Sequence, residues 1–273
     1  FSVRREFNPK TDIRDFYNKL IIDSADAFLT YTEGSKKILD RFFSPKKVFV
    51  AVNTLNSDLI KNHSDELDLI GKKQVKKELG LQREKYIIHV GRFSKRKKID
   101  KLIGIYEILK KKYDLGLILI GNGPELEGIK DIVNDNQIKD VIFTGAISSE
   151  SIITSKYIFA SDLFIVPGNL GLMVNHALLF GKPLIGRVLP KGQKIPKDYH
   201  NTPEFEYLID EFNGIVVEDD NHKLFIEAAI KVFENYSFYS SNALNNAYST
   251  LTVQNMANGY VDAINFAKNH KLI

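Results

Sequence analysis

The sequence predicts an α/β protein dominated by a doubly wound parallel sheet. Three observations carry that prediction. Short runs such as 86–90, 116–121, 163–166 and 214–217 are apolar at consecutive positions, as strands covered on both faces are. Segments with apolar residues at helical spacing separate these runs. The first 57 residues already show the rhythm helix, strand, helix, strand. Right-handed crossovers then wind the helices onto both faces of the sheet.

Taken in order, 13–40 reads as helix with a break. Asp12 is a candidate cap, and Phe16 and Leu20 follow a helical period. Residues 27–31 are β-like, Thr32-Glu-Gly-Ser35 turns into a second helix, and 47–52 is a strand. The stretch 58–80 is polar and lysine-rich and reads as a linker carrying one helix, 72–79, stopped by Gly80. The regular alternation follows. Strands are expected at 86–90, 116–121, 140–144, 163–166, 183–187 and 214–217. Helices are expected at 98–113, 124–134, from 148, at 170–180, 205–210 and 222–234. The last segment, 242–268, reads as mostly helical, with Met256, Tyr260, Ile264 and Ala267 on one stripe. The resulting division is 1–57, the end of a first domain; 58–80, a linker; 81–241, a Rossmann-like domain; and 242–273, a closing helix.

Composition narrows the function classes. The chain has 273 residues, 38 basic and 34 acidic, for a formal charge of +4. The absence of Cys excludes disulfide frameworks, Cys-ligated zinc and thiol catalysis. No apolar run approaches the ~18 residues of a membrane-spanning helix. The opening Phe1-Ser-Val-Arg-Arg5 is charged, lacks an apolar core and does not begin with Met, so a fragment of a longer chain is expected. Nucleic acid is not an expected partner, because no aromatic residues interleave with the lysine clusters. No His-x-x-x-His pair and no Gly-x-Ser-x-Gly elbow is present, so neither a metal nor a serine nucleophile is expected.

In a doubly wound sheet, ligands sit beyond the carboxyl ends of the strands. The residues that follow each strand are therefore the candidates. Gly91-Arg92-Phe-Ser-Lys-Arg-Lys97 combines a glycine with two long cations that suit a phosphate; a solvated basic loop is the other reading. Gly121-Asn-Gly123 is explained by a tight strand-to-helix turn and lacks the third glycine of the dinucleotide fingerprint. Pro167-Gly168-Asn169-Leu170-Gly171-Leu172 leads into a helix and would offer backbone N–H groups to an anion. His176 lies about one turn further on, where a structural role is the plain alternative.

In order along the chain, these pieces resemble the donor-binding domain of retaining glycosyltransferases of family 4, with the GT-B fold. The matching residues are Gly91-Arg92 with Lys97, Leu117 to Pro124, Val141 to Gly145, and Tyr157 to Asp162. They continue through Phe164 to Pro167, Gly171-Leu172 to Ala177-Leu178, Gly181 to Pro183, Pro203-Glu204 and Asn213-Gly214. Leu29 to Thr32 and Val48 to Thr54 resemble the end of that family's N-terminal domain, and 242–268 its returning C-terminal helix. One departure matters. The family carries two Glu separated by seven residues, and those positions here hold Gly168 and His176.

The resemblance implies a nucleotide-diphosphate sugar as donor, no metal or other cofactor, and a saccharide or lipid-linked acceptor in surface polysaccharide assembly. Arg92, Lys97 and His176 take the catalytic positions. Gly91, Gly121, Gly168, Asn169, Leu170, Gly171 and Leu172 line the donor, and Gly145, Ala146 and Ile147 hold the base. Glu204 and Glu206 are carboxylates within reach of the site. The acceptor domain is expected to be only partly present, leaving the chain incomplete for turnover. A cytoplasmic setting follows, with peripheral contact at the inner membrane face and a homo-oligomer left open. A catalytically silent nucleotide-sugar-binding subunit and a GT-B-like sugar-nucleotide epimerase are the alternatives.

Overall fold

The computed structural model describes residues 13–41, 47–188, 202–218 and 221–270. The opening stretch 1–5 and Lys46 of the lysine clusters lie outside them. The described chain begins with α1 (Ile13–Ser24), β1 (Phe28–Thr30), α2 (Glu33–Leu39) and β2 (Val48–Val50). β1 and β2 pair in parallel, Leu29 opposite Phe49. Thr32 caps α2 by accepting from Ser35 N.

The stretch read as a linker with one helix at 72–79 holds two: α3 (Ser57–Ile70) and, where the helix was expected, α4 (Lys72–Glu78). Asn56 caps α3 by accepting from Leu59 N at 3.1 Å. Ile60 and Leu67, seven residues apart, are buried by α3 against the second sheet's core. Those two anchors are outnumbered by Asp58, Lys61, Asp65, Glu66 and Asp68, so the polar average hides the helix.

The second sheet holds β3 (Lys85–Val90), β4 (Leu115–Ile120), β5 (Val141–Gly145), β6 (Leu163–Val166), β7 (Leu184–Arg187) and β8 (Gly214–Val217). Its strand order is β5-β4-β3-β6-β7-β8. Every pairing is parallel. One face packs Ile87, Leu117, Leu119, Leu163 and Ile165 against α5 (Ile99–Leu109), α6 (Leu126–Asp135) and α9 (His222–Glu234). The other face packs Ile88, Ile118, Phe164 and Val166 against α7 (Ile152–Ala160), α8 (Met173–Leu179) and α10 (Tyr236–Thr250). The alternation of neighbours along β3 and β4 between the two cores is the period-2 signature of a sheet covered on both sides.

The closing segment is two helices, not one. α10 ends at Thr250 with the fully buried Leu251 as its C-cap, and Thr252 restarts the chain by capping α11 (Val253–His270) through Asn255 N at 3.1 Å. The apolar stripe read from the sequence is not the most buried face of α11. Tyr260 and Ile264 are 44% and 51% exposed, while Ala263 and Gly259 are buried. Gly259 is needed because a Cβ there would sit 2.0 Å from Val50 O, so α11 lies directly on the β2 backbone.

Candidate functional site

The strand order places β3 and β6 side by side at the point where the winding reverses. The crevice beyond their carboxyl ends is where such sheets bind ligands. The loops leaving these two strands are Gly91–Ser94, continued by a 3-10 turn at Lys95–Lys97, and Pro167–Leu172. They are bonded together. Asn169 N donates to Arg96 O at 2.8 Å. The Lys97 ammonium donates back to Asn169 O at 2.7 Å and Leu170 O at 2.6 Å. Burial lowers the Lys97 pKa to about 8; Arg96 adds to that and Glu204 opposes it.

Gly168 is fixed by this closeness. A Cβ there would lie 2.1 Å from Arg96 O and 2.5 Å from Lys97 C, so no side chain fits. The loop is thus drawn tight onto the 3-10 turn at this position. Gly121 has a similar role on the neighbouring strand. Its Cβ would meet Gly91 O at 1.9 Å, and Gly91 N donates to Ile120 O at 2.9 Å. Gly121 N in turn donates to Gly145 O at 2.9 Å, so the ends of β3, β4 and β5 are stitched into one rim. Ala146 is exposed on that rim, and Ile147 packs partly into the core.

Arg92 is exposed and makes no hydrogen bond or ion pair with another described residue. Among the described residues, the N–H groups of Gly171 and Leu172 donate to no carbonyl. Asn169 N is already spent on Arg96 O, and α8 begins only at Met173, later than the sequence suggests.

His176 is 4% exposed on α8, its Nδ1 is buried without a partner among the described residues, and burial alone lowers its pKa to about 4. Its neighbour Asn175 donates to Asn53 O at 2.8 Å, tying α8 to the segment that leaves β2. Glu204 and Glu206 sit on a 3-10 turn, Pro203–Tyr207, and face the first sheet's end of the chain. Glu204 accepts from Asn53 Nδ2 at 2.5 Å, and Glu206 accepts from Gly34 N at 2.9 Å. Tyr207 completes the clasp, donating to Tyr31 O at 3.0 Å and accepting from Asn53 N at 3.1 Å.

One buried group escaped the sequence reading. His89, inside β3, is fully buried, and neither ring nitrogen has a partner among the described residues. Its ring centroid lies 6.2 Å from that of Phe93, and burial lowers its pKa to about 3, with the Lys97 charge adding to the effect. A lone His in an apolar run carries no pattern that would have flagged it.

Residues 71–249 match the family described as glycosyl transferases group 1. An uncharacterized glycosyltransferase of Methanocaldococcus jannaschii is 26% identical over 257 residues, covering 89% of this chain and 60% of the relative. The alpha-monoglucosyldiacylglycerol synthase of Streptococcus pneumoniae is 31% identical over 139 residues, covering 49% of this chain and 31% of that protein. Among solved structures, Anabaena HepE in complex with UDP and glucose aligns with a TM-score of 0.68 at 14% identity, covering 96% of this chain and 70% of that one. The chain therefore spans about 60% of the curated relative it matches over the greatest length.

Proposed function

The chain belongs to the glycosyl transferases group 1 family and has the GT-B fold, and from that premise we propose that it takes a nucleotide-diphosphate sugar as donor. The sugar would pass to a saccharide or glycolipid acceptor, with retention as in family 4, in surface polysaccharide assembly. The observation that carries this reading is the exposed Arg92, unpaired among the described residues, beside the glycine loop at the switch point.

Arg92 presents a forked donor to the diphosphate. The N–H groups of Gly171 and Leu172 add neutral donors, and Lys97 holds their loop in place. Such preorganised donors stabilise the charge that develops on the leaving diphosphate. The rim at Gly145–Ile147 holds the base. Residues 1–57 belong, in this reading, to an acceptor domain, 58–80 connect it to the donor domain 81–241, and 242–273 returns to it. No helix among the described residues is long and apolar enough to cross a membrane.

A second reading has two observations in its favour. Position 168 admits no side chain, and His176 is a buried neutral imidazole, so neither family carboxylate has a replacement in kind. A chain that binds the donor without turning it over fits those facts. Calorimetric titration with UDP, GDP and ADP tests the shared premise. At least one should bind, and Arg92→Ala should weaken it about tenfold or more, a charged contact contributing ~1.5–3 kcal/mol. Failure of all three to bind, or an unchanged affinity in the variant, would refute the site. Release of nucleoside diphosphate from the sugar-bearing donor then separates transferase from silent binder.

A further inference from the structure

A second cavity, about 480 Å³ in volume, opens between the first sheet, the Pro203–Tyr207 turn and the two closing helices. Val50, Val52 and Ile209 make its apolar floor. Its walls are polar, and among the described residues every charged one lining it is acidic: Glu33, Glu206 and Asp262. Three carboxylates repel a diphosphate, so this is not a second place for the nucleotide. Among the described residues, no group of three or more potential ligands is placed to hold a metal ion.

The hydrogen-bonding capacity left open is specific. The Glu33 and Asp262 carboxylates bond to no other described residue. Asn258 has its Oδ1 engaged by Gln254 Nε2 at 2.7 Å, and Asn246 its Oδ1 by Asn213 Nδ2 at 3.4 Å. Both amides thereby keep their N–H₂ donors for a ligand. The cavity thus offers paired acceptors and amide donors over an apolar floor. Vicinal hydroxyls demand that combination: each donates to a carboxylate and accepts from an amide, while the C–H face of the ring packs on Val50 and Ile209. The volume falls within the roughly 300–1,000 Å³ of small-molecule sites.

We propose that this cavity is a binding subsite for a neutral saccharide of one or two rings, separate from the loops that would hold the nucleotide. Its occupant touches the first sheet, the 3-10 turn and α11 at once, and so bridges the segments that Tyr207 already clasps. The inference does not depend on the nucleotide reading, because it uses none of the same residues.

Saturation-transfer NMR on the 273-residue chain, with maltose, cellobiose and lactose as probes, tests it. At least one disaccharide should receive saturation, glucose 6-phosphate should not, and excess UDP should not displace the signal. Asn258 and Asp262 are exposed on α11, so Asn258→Ala/Asp262→Ala should keep its helical circular dichroism and thermal midpoint. In that variant, affinity for the bound disaccharide should drop at least tenfold. No transfer to any of the three sugars would overturn the proposal. So would a signal that survives in the folded double variant, one that UDP competes away, or equal binding of glucose 6-phosphate.

Discussion

Lys97 and Gly168 show how one residue's role is set by its neighbour. The lysine's charge is directed at two loop carbonyls, and the glycine is what lets that loop come close. Gly168→Ala should therefore push the loop off the 3-10 turn and destabilise by ~1–3 kcal/mol, as overpacking does; an unchanged urea midpoint would contradict the contact. The sequence revealed that this loop mattered but not that Lys97 was already engaged, because spacing carries no information on where a long side chain ends. His89 gives a pH prediction. Its folded pKa, about 3, lies below the unfolded value near 6.5. The unfolded chain therefore binds the extra proton, and the stability this provides is complete above pH ~6.5 and lost as pH falls toward 3. His176, at about 4, behaves alike. Between pH 7 and pH 5 each should remove ~2 kcal/mol. His89→Leu should lose about that much less over the same interval, and equal losses in both proteins would count against a buried neutral imidazole.

At the scale of elements, the strands were the most legible feature. The central ones, β4 and β6, are continuous apolar runs buried on both faces, the mark of a covered parallel sheet. Helices were legible where the stripe was dense, as in α5, and missed where two anchors had to speak for fourteen residues, as in α3. The inward face of α11 was not legible for a related reason: its contact is a glycine, which no hydrophobic pattern records. Gly259→Ala is accordingly the sharpest test at this scale. With Val50 O 2.0 Å from the new Cβ, the helix must lift from β2. Limited proteolysis should cut within 253–270 much faster than in the parent chain, and identical digestion would mean that α11 docks elsewhere. Tyr207→Phe removes the two hydroxyl hydrogen bonds of the clasp and should cost ~1–2 kcal/mol in chemical unfolding; no change would show that the clasp contributes nothing.

For the whole molecule, the order of the six strands follows from rules that act before any side chain is placed. Short right-handed crossovers from a central first strand give a sheet whose winding reverses once, between β3 and β6. The candidate site lies there because two loops diverge there. The sequence exposed that location through Gly91-Arg92 and Pro167–Leu172, whereas the second cavity was invisible to it. The walls of that cavity come from Thr32 to Asp262, residues that only tertiary packing brings together. The pKa of Lys97 links the site to pH. An anion bound nearby raises that pKa, so nucleoside diphosphate affinity should fall as pH climbs through about 8. Calorimetry at pH 7 and pH 9.5 measures the effect, and a flat profile would remove Lys97 from the site's electrostatics. The most direct measurement is a crystal structure of the chain with UDP or whichever nucleoside diphosphate binds. The diphosphate should lie about 3 Å from the Arg92 guanidinium and from the N–H groups of Gly171 and Leu172, between the ends of β3 and β6. A diphosphate bound anywhere else on the chain would contradict the account.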